Sequence, residues 1–185
     1  MRNRSIFLMF FITASCKPAA EQSFKAPFED IKGFFESEAI RLNKNHFVVD
    51  KTITQNGLSE TKAGIQIDWK NELSLFTASD INKAAWKDSY RIIKDSSSIA
   101  YLAIDTNLRT REIRIKLDST SKLKHILIKN RSKNYLYEST ETLIYIPDSA
   151  YSIDKYQKVI LIGKNNYLIK ALLKKKSKRV LLKSD

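Results

Sequence analysis

Cysteine, histidine and glycine are all scarce in this chain, and each shortage removes a class of protein. The one Cys, Cys16, excludes a disulfide framework within a single chain, and with only His46 and His125 beside it a His or Cys metal cage cannot be assembled. The four Gly stand at 33, 57, 64 and 163, and none are spaced as GxGxxG or GxxxxGK, so nucleotide folds that need a glycine cradle are excluded. No cofactor is therefore expected. Long apolar runs are lacking as well: the leader run Ile6 to Ala14 has nine residues, which as a helix spans about 14 Å, less than half of a bilayer core of about 30 Å. What remains is a chain of 185 residues, 43% hydrophobic and 29% charged, with a formal net charge of +13. That is one ordinary domain with a core, not a disordered tail.

The N-terminus reads MRNRSIFLMFFITASC, with Arg2 and Arg4 before the apolar run and the small residues Ala14 and Ser15 before Cys16, the layout of a secretory signal peptide. A Cys directly after small residues resembles the lipobox of bacterial lipoproteins. The resemblance implies that the Cys16 thiol takes a diacylglycerol, that the leader is cut just before it, and that the new amino group is acylated, palmitate being the expected chain. Thr13 stands where an aliphatic residue is usual, as in the more permissive lipoboxes of Bacteroidota, and Lys17 replaces the Asp of an inner-membrane retention signal. By that resemblance the destination is the outer membrane, and two or three acyl chains hold the protein there. The alternative is a plain secretory leader cut nearby, with Cys16 a free thiol.

The chain divides into a signal peptide (1–15), a lipidated tether (16–26), one α+β domain (27–173) and a basic C-terminal tail (174–185). In PFEDIKGFFESEAIRLN, Phe28, Ile31, Phe35 and Leu42 share a face; Pro27 suits the first turn, and Gly33 weakens the helix. Asn56-Gly57 between strand-like runs predicts a type I′ hairpin over about 47–65. Asp68 caps a second helix over about 68–79, with Trp69, Leu73 and Phe76 at helical spacing and a further turn near 84–87. All eight Tyr lie at 90 or later and all nine Phe at 76 or earlier; strand formers dominate the C-terminal half. Strands are predicted at 90–94, 99–105, 111–117, 123–129, 135–146, 152–162 and 167–173, with polar connections too short for crossovers, which makes an antiparallel meander. In 111–117, Ile113, Ile115 and Leu117 alternate with Glu112, Arg114 and Lys116. His125–Ile128 and Val159–Ile162 are apolar on both faces, which implies cover on both sides. The expected fold is thus N-terminal helices and a β-hairpin packed on a curved antiparallel sheet.

No pair of residues identifies an active site. The nearest things to carboxylate pairs are Glu36 with Glu38, which cannot share a helix face, Asp68 with Glu72, where Asp68 is better explained as a cap, and Glu138 with Glu141; each reads as a solvated surface acid. His125, on one face with Leu123 and Leu127 if its strand is regular, reads as a core or edge histidine. Ser96, Ser97 and Ser98 form a turn without a nucleophile elbow. Trp69, Phe76 and Trp86 either line an apolar ligand pocket or join helix to sheet. The stretch SDINKAAWKDSY (79–90) resembles small lipoproteins of Bacteroidota, a resemblance that brings no activity with it. In the tail, Lys174, Lys175, Lys176, Lys178 and Arg179 suit anionic head groups or lipopolysaccharide phosphates, or simply solubilise the terminus; nucleic acid is not an expected partner of an exported chain. The expected function is a non-enzymatic binding or structural module of the envelope, with an envelope protein or lipid-like ligand as partner. The alternative is an envelope hydrolase.

Overall fold

The computed structural model describes residues 29–176. Cys16, the tether, Pro27, Phe28, Lys178 and Arg179 lie outside the described residues. The elements are α1 (Ile31–Lys44), β1 (Phe47–Gln55), β2 (Leu58–Ile65), α2 (Trp69–Glu72), α3 (Ser74–Thr77), a 3-10 turn (Ala84–Trp86), β3 (Tyr90–Lys94), β4 (Ser98–Ala103), β5 (Thr110–Leu117), β6 (Leu123–Lys133), β7 (Tyr137–Ile146), β8 (Ala150–Val159) and β9 (Gly163–Lys175). The strands form one sheet in the order β2-β1-β9-β8-β7-β6-β5-β4-β3, with every pair antiparallel. The protein is dominated by this open sheet, and its helices are few and short.

Helix α1 begins at Asp30, whose carboxylate accepts from the Gly33 amide at 2.8 Å. That cap explains Gly33: a Cβ there would lie 2.2 Å from Asp30 Oδ2. Residues Ile31, Phe35, Glu38, Ala39 and Leu42 form the buried stripe. The helix predicted over 68–79 is two single turns, α2 and α3, separated at Leu73, with Asp68 capping the first through Lys70 and Asn71.

Asn56 and Gly57 both have positive φ, 49° and 88°, as a type I′ turn requires. The hairpin they close does not pack on the sheet, as expected, but extends it: β1 pairs with β9 from Phe47↔Lys175 to Gln55↔Tyr167. A face-packed hairpin would leave the β9 amides and carbonyls on that side without strand partners, whereas edge addition satisfies them. The β3–β9 meander is as predicted.

One face of the sheet holds the core. Tyr145 and Tyr151 are cross-strand partners there; Phe35 meets Tyr145 edge to face at 5.3 Å, the Phe76 ring lies tilted at 38° and 4.8 Å from Phe35, and Trp69 lies 6.3 Å from Tyr151. Ile113, Ile126, Ile128 and Leu143 fill the same face. The strand predicted over 152–162 ends early. β8 stops at Val159, and Ile160, Leu161 and Ile162 form a three-residue hairpin loop closed by Gly163 at φ 96°. The apolar run is therefore a turn exposed to water and not a covered strand. Tyr135 and Leu136, assigned to a strand by their composition, likewise precede β7 in a turn. Lys174 and Lys175, placed in the tail by the sequence reading, end β9: Lys174 pairs with Asp50, and Lys175 lies over the Phe47 ring at 5.8 Å.

Candidate functional site

Trp69 and Phe76 line neither of the two depressions beside α1. Both are buried in the core between the helical segments and the sheet. Trp86 is half-buried against that core, with the Lys83 ammonium 4.0 Å from its ring centroid.

Two depressions flank α1 instead. A cleft of about 350 Å³ opens between the first turns of α1 and strands β4 to β6. Its walls are Ile31, Phe34, Ile99, Ile115, Leu117, Leu123 and Ile126, and Glu29, Asp30 and Ser121 complete its lining. A bulge builds one wall: Leu117 pairs with Leu123 while Lys116 pairs with His125, so Lys124 has no partner opposite. Leu123 and Ile126 then both face the cleft, and His125 does not share a face with Leu123, contrary to the regular-strand expectation. The other depression, a groove of about 890 Å³, runs between α1 and the α2–α3 segment. Phe35, Ala39 and Ile40 contribute apolar surface to it, and Lys32, Lys70, Lys83, Glu36 and Asp80 contribute charge.

Three carboxylates that read from the sequence as surface acids sit on the core face. Glu38, only 6% exposed, takes two hydrogen bonds from Arg41 at 2.6 Å and a short one from the Tyr145 hydroxyl; Arg41 also reaches Asp148 at 2.7 Å. Glu72 takes two from Lys51 and one from the Tyr151 hydroxyl, all at 2.7 Å. Two neighbouring tyrosines thus clamp α1 and α2 to the sheet through one cation-paired carboxylate each. Burial, together with the adjacent carboxylate, pushes both phenols well above the usual tyrosine range, so they stay protonated donors.

Glu141, read from sequence as a solvated acid, is 7% exposed. Arg109 donates to it at 2.6 Å, Lys155 pairs with it at 3.1 Å and Asn130 donates at 3.2 Å. Burial alone would raise its carboxyl, but the Lys155 hydrogen bond, the Arg109 charge and Asn130 together hold it below the usual range. Asn130 also donates to Ser79 Oγ at 2.9 Å, while Asn130 Oδ1 and Ser139 Oγ are buried without a hydrogen-bond partner among the described residues. A carboxylate held ionised between two cations fixes charge and geometry; it is a poor proton carrier at neutral pH. The signal that could have found these acids is their spacing: Glu38 lies three residues after Phe35 on the apolar stripe of α1, and Glu141 lies two before Leu143 on the inward alternation of β7.

Among the described residues His125 meets no carboxylate and its buried Nδ1 has no hydrogen-bond partner; burial with the neighbouring Lys116 charge lowers its pKa. The serine turn is governed by Asp95, which accepts from Ser97 and Ser98; these bonds, led by the Ser98 hydroxyl, pull its carboxyl down to about 2. Glu138 is an outer-face acid paired with Arg131 at 2.9 Å. Among the described residues no three His, Cys, Asp or Glu side chains gather as a metal site, and no helix is long and apolar enough to cross a membrane. No family model matches the chain, and no curated protein or solved structure is similar to it at a significant level.

Proposed function

We propose that the protein is a bacterial outer-membrane lipoprotein, anchored by acyl chains on Cys16, whose domain is a non-enzymatic binding module of the cell envelope. On this reading the sheet curves around α1 and the cleft between them takes an apolar or lipid-like ligand. The observation that carries the reading is that cleft, whose seven apolar walls surround about 350 Å³ at the start of α1. Its volume lies at the lower end of small-molecule sites, which are mostly apolar with a few polar groups to orient the ligand. Glu29, Asp30 and Ser121 are those groups here. Because the core around Trp69 and Phe76 is filled, the proposed ligand is assigned to the cleft on the other side of α1. The anchor rests on the residues before and at Cys16.

Two measurements test the two halves of the proposal. Cells fed an alkyne fatty acid should label the wild-type protein and not Cys16→Ala; an unlabelled wild type removes the anchor. The purified protein should bind the apolar dye N-phenyl-1-naphthylamine, and Leu123→Trp, which fills the cleft, should lower that affinity at least tenfold. A wild type that takes up no dye, or a variant that binds it as well, removes the ligand.

A further inference from the structure

Because successive strands alternate in direction, the connections between them fall at two ends of the sheet. The turns at Asn56–Gly57, 134–136 and 160–162 share one end, and hydrogen bonds knit them together: the Ile160 amide donates to the Leu136 carbonyl at 3.1 Å, and Asn56 donates to the Asn166 carbonyl at 3.0 Å. At this end six large apolar side chains stand in water. Leu161 is 93% and Tyr135 97% exposed, and Leu136, Ile160, Ile162 and Leu58 are exposed with them. Loop geometry does not require them. The 160–162 loop needs only the left-handed Gly163 at its end.

Just behind these tips lies a band of positive charge. Lys133, Glu138, Lys158 and Lys164 are successive register partners across β6, β7, β8 and β9, and the one acid among them is paired with Arg131. The three lysines are exposed and none is in an ion pair among the described residues.

We infer that this end of the sheet is a membrane-docking tip, which inserts Leu136, Ile160, Leu161 and Ile162 into the acyl boundary of an anionic lipid surface while Lys133, Lys158 and Lys164 contact its phosphates. Separate protruding loops with an apolar point and a basic collar match the depth profile of a bilayer: hydrocarbon inside, phosphate outside. Tyr135, with an apolar ring and a polar hydroxyl, belongs at the boundary between them. The inference goes beyond the lipoprotein reading and does not depend on acylation at Cys16.

The test places an environment-sensitive nitrobenzoxadiazole label at one of two sites in the full chain carrying Cys16→Ala, which removes both the anchor and the competing thiol. One site is Leu161→Cys at the tip; the other is Ser149→Cys, in the turn between β7 and β8 at the opposite end. Vesicles of phosphatidylcholine with one-third phosphatidylglycerol are added, with and without acyl-chain bromination. The label at 161 should brighten, shift to the blue and be quenched by the brominated lipid, and the label at 149 should not. Changing Lys133, Lys158 and Lys164 to Gln should weaken the response about fivefold per lysine, and pure phosphatidylcholine should weaken it further. Equal responses at both sites, or none at 161, overturn the inference. A response at 161 that grows with protein concentration without vesicles also overturns it, because the tip would then be a contact between copies. Failure of fatty-acid labelling at Cys16 leaves this result untouched, so the two proposals fail separately.

Discussion

The two ends of the sheet are built from the same kind of hairpin and finished in opposite ways. At one end the turns are polar and self-satisfied: Asp95 accepts from Ser97 and Ser98, Asp118 accepts from Thr120 and Lys122, and Asp148 takes a left-handed φ of 58° beside Ser149. At the other end, Tyr135, Leu136 and Ile160–Ile162 occupy the turns, and Ile104 is exposed in the connection between β4 and β5. The polar set shows that hairpins of this sheet can be closed by polar residues led by Asp, Ser and Thr. Hairpin closure by itself therefore does not call for the apolar set, in keeping with the docking role inferred for it.

The largest effects should separate core from tip. Phe35→Ala, which empties the space between Phe76 and Tyr145, should cost about 3–5 kcal/mol in urea unfolding. Leu161→Ser should stay within about 0.5 kcal/mol of wild type; a comparable loss at 161 would make the tip a structural element and end the contrast. Next in size, Glu141→Gln should cost about 1–3 kcal/mol, since it leaves Arg109 and Lys155 without their partner, though both are partly solvated. Because the folded carboxyl is depressed, its contribution is present at neutral pH and lost as pH falls below about 4.3 through the folded value. Denaturant midpoints taken from pH 7 to pH 3 should therefore fall less steeply in the variant.

Smaller effects sharpen the same comparison. Gly163→Ala forces a side chain into the left-handed region at φ 96° and should cost about 1 kcal/mol, although no atom lies within 4 Å of the added Cβ. An unchanged melting point would show that the tip hairpin frays independently of the core. Smallest of all is His125, whose folded pKa is lowered by burial and by Lys116. Its neutral ring is favoured in the fold, so stability should decline as pH drops below about 6.5. Replacement by Leu should flatten that decline, and an NMR titration of the ring should give a midpoint below the ordinary histidine value.

Local features of the fold were legible wherever a force acting within a few residues decides the outcome. Asn56-Gly57 makes the turn its positive φ angles demand, Asp68 caps α2, and Ile113 and Ile115 face inward as the alternation of β5 requires. The candidate site was less legible. Trp69 and Phe76 have the spacing of a buried face, but periodicity cannot distinguish a filled core from a pocket wall. The cleft that exists depends on the unpaired Lys124, a one-residue irregularity that only the pairing of β5 with β6 reveals.

Composition and periodicity alone pointed to an N-terminal amphipathic helix, a tight Asn56-Gly57 hairpin, a cap at Asp68 and an antiparallel meander after it. Those follow from backbone sterics and side-chain chemistry within about ten residues. Tertiary structure decided that β1 joins β9, that Glu38 and Glu72 are each paired with a cation and Glu141 is held between two instead of in water, and that Ile160–Ile162 cap a hairpin. The β1–β9 pairing and the Glu72 and Glu141 ion pairs join residues far apart in the chain, where the balance between desolvation and pairing is set by which groups the fold brings within hydrogen-bond distance.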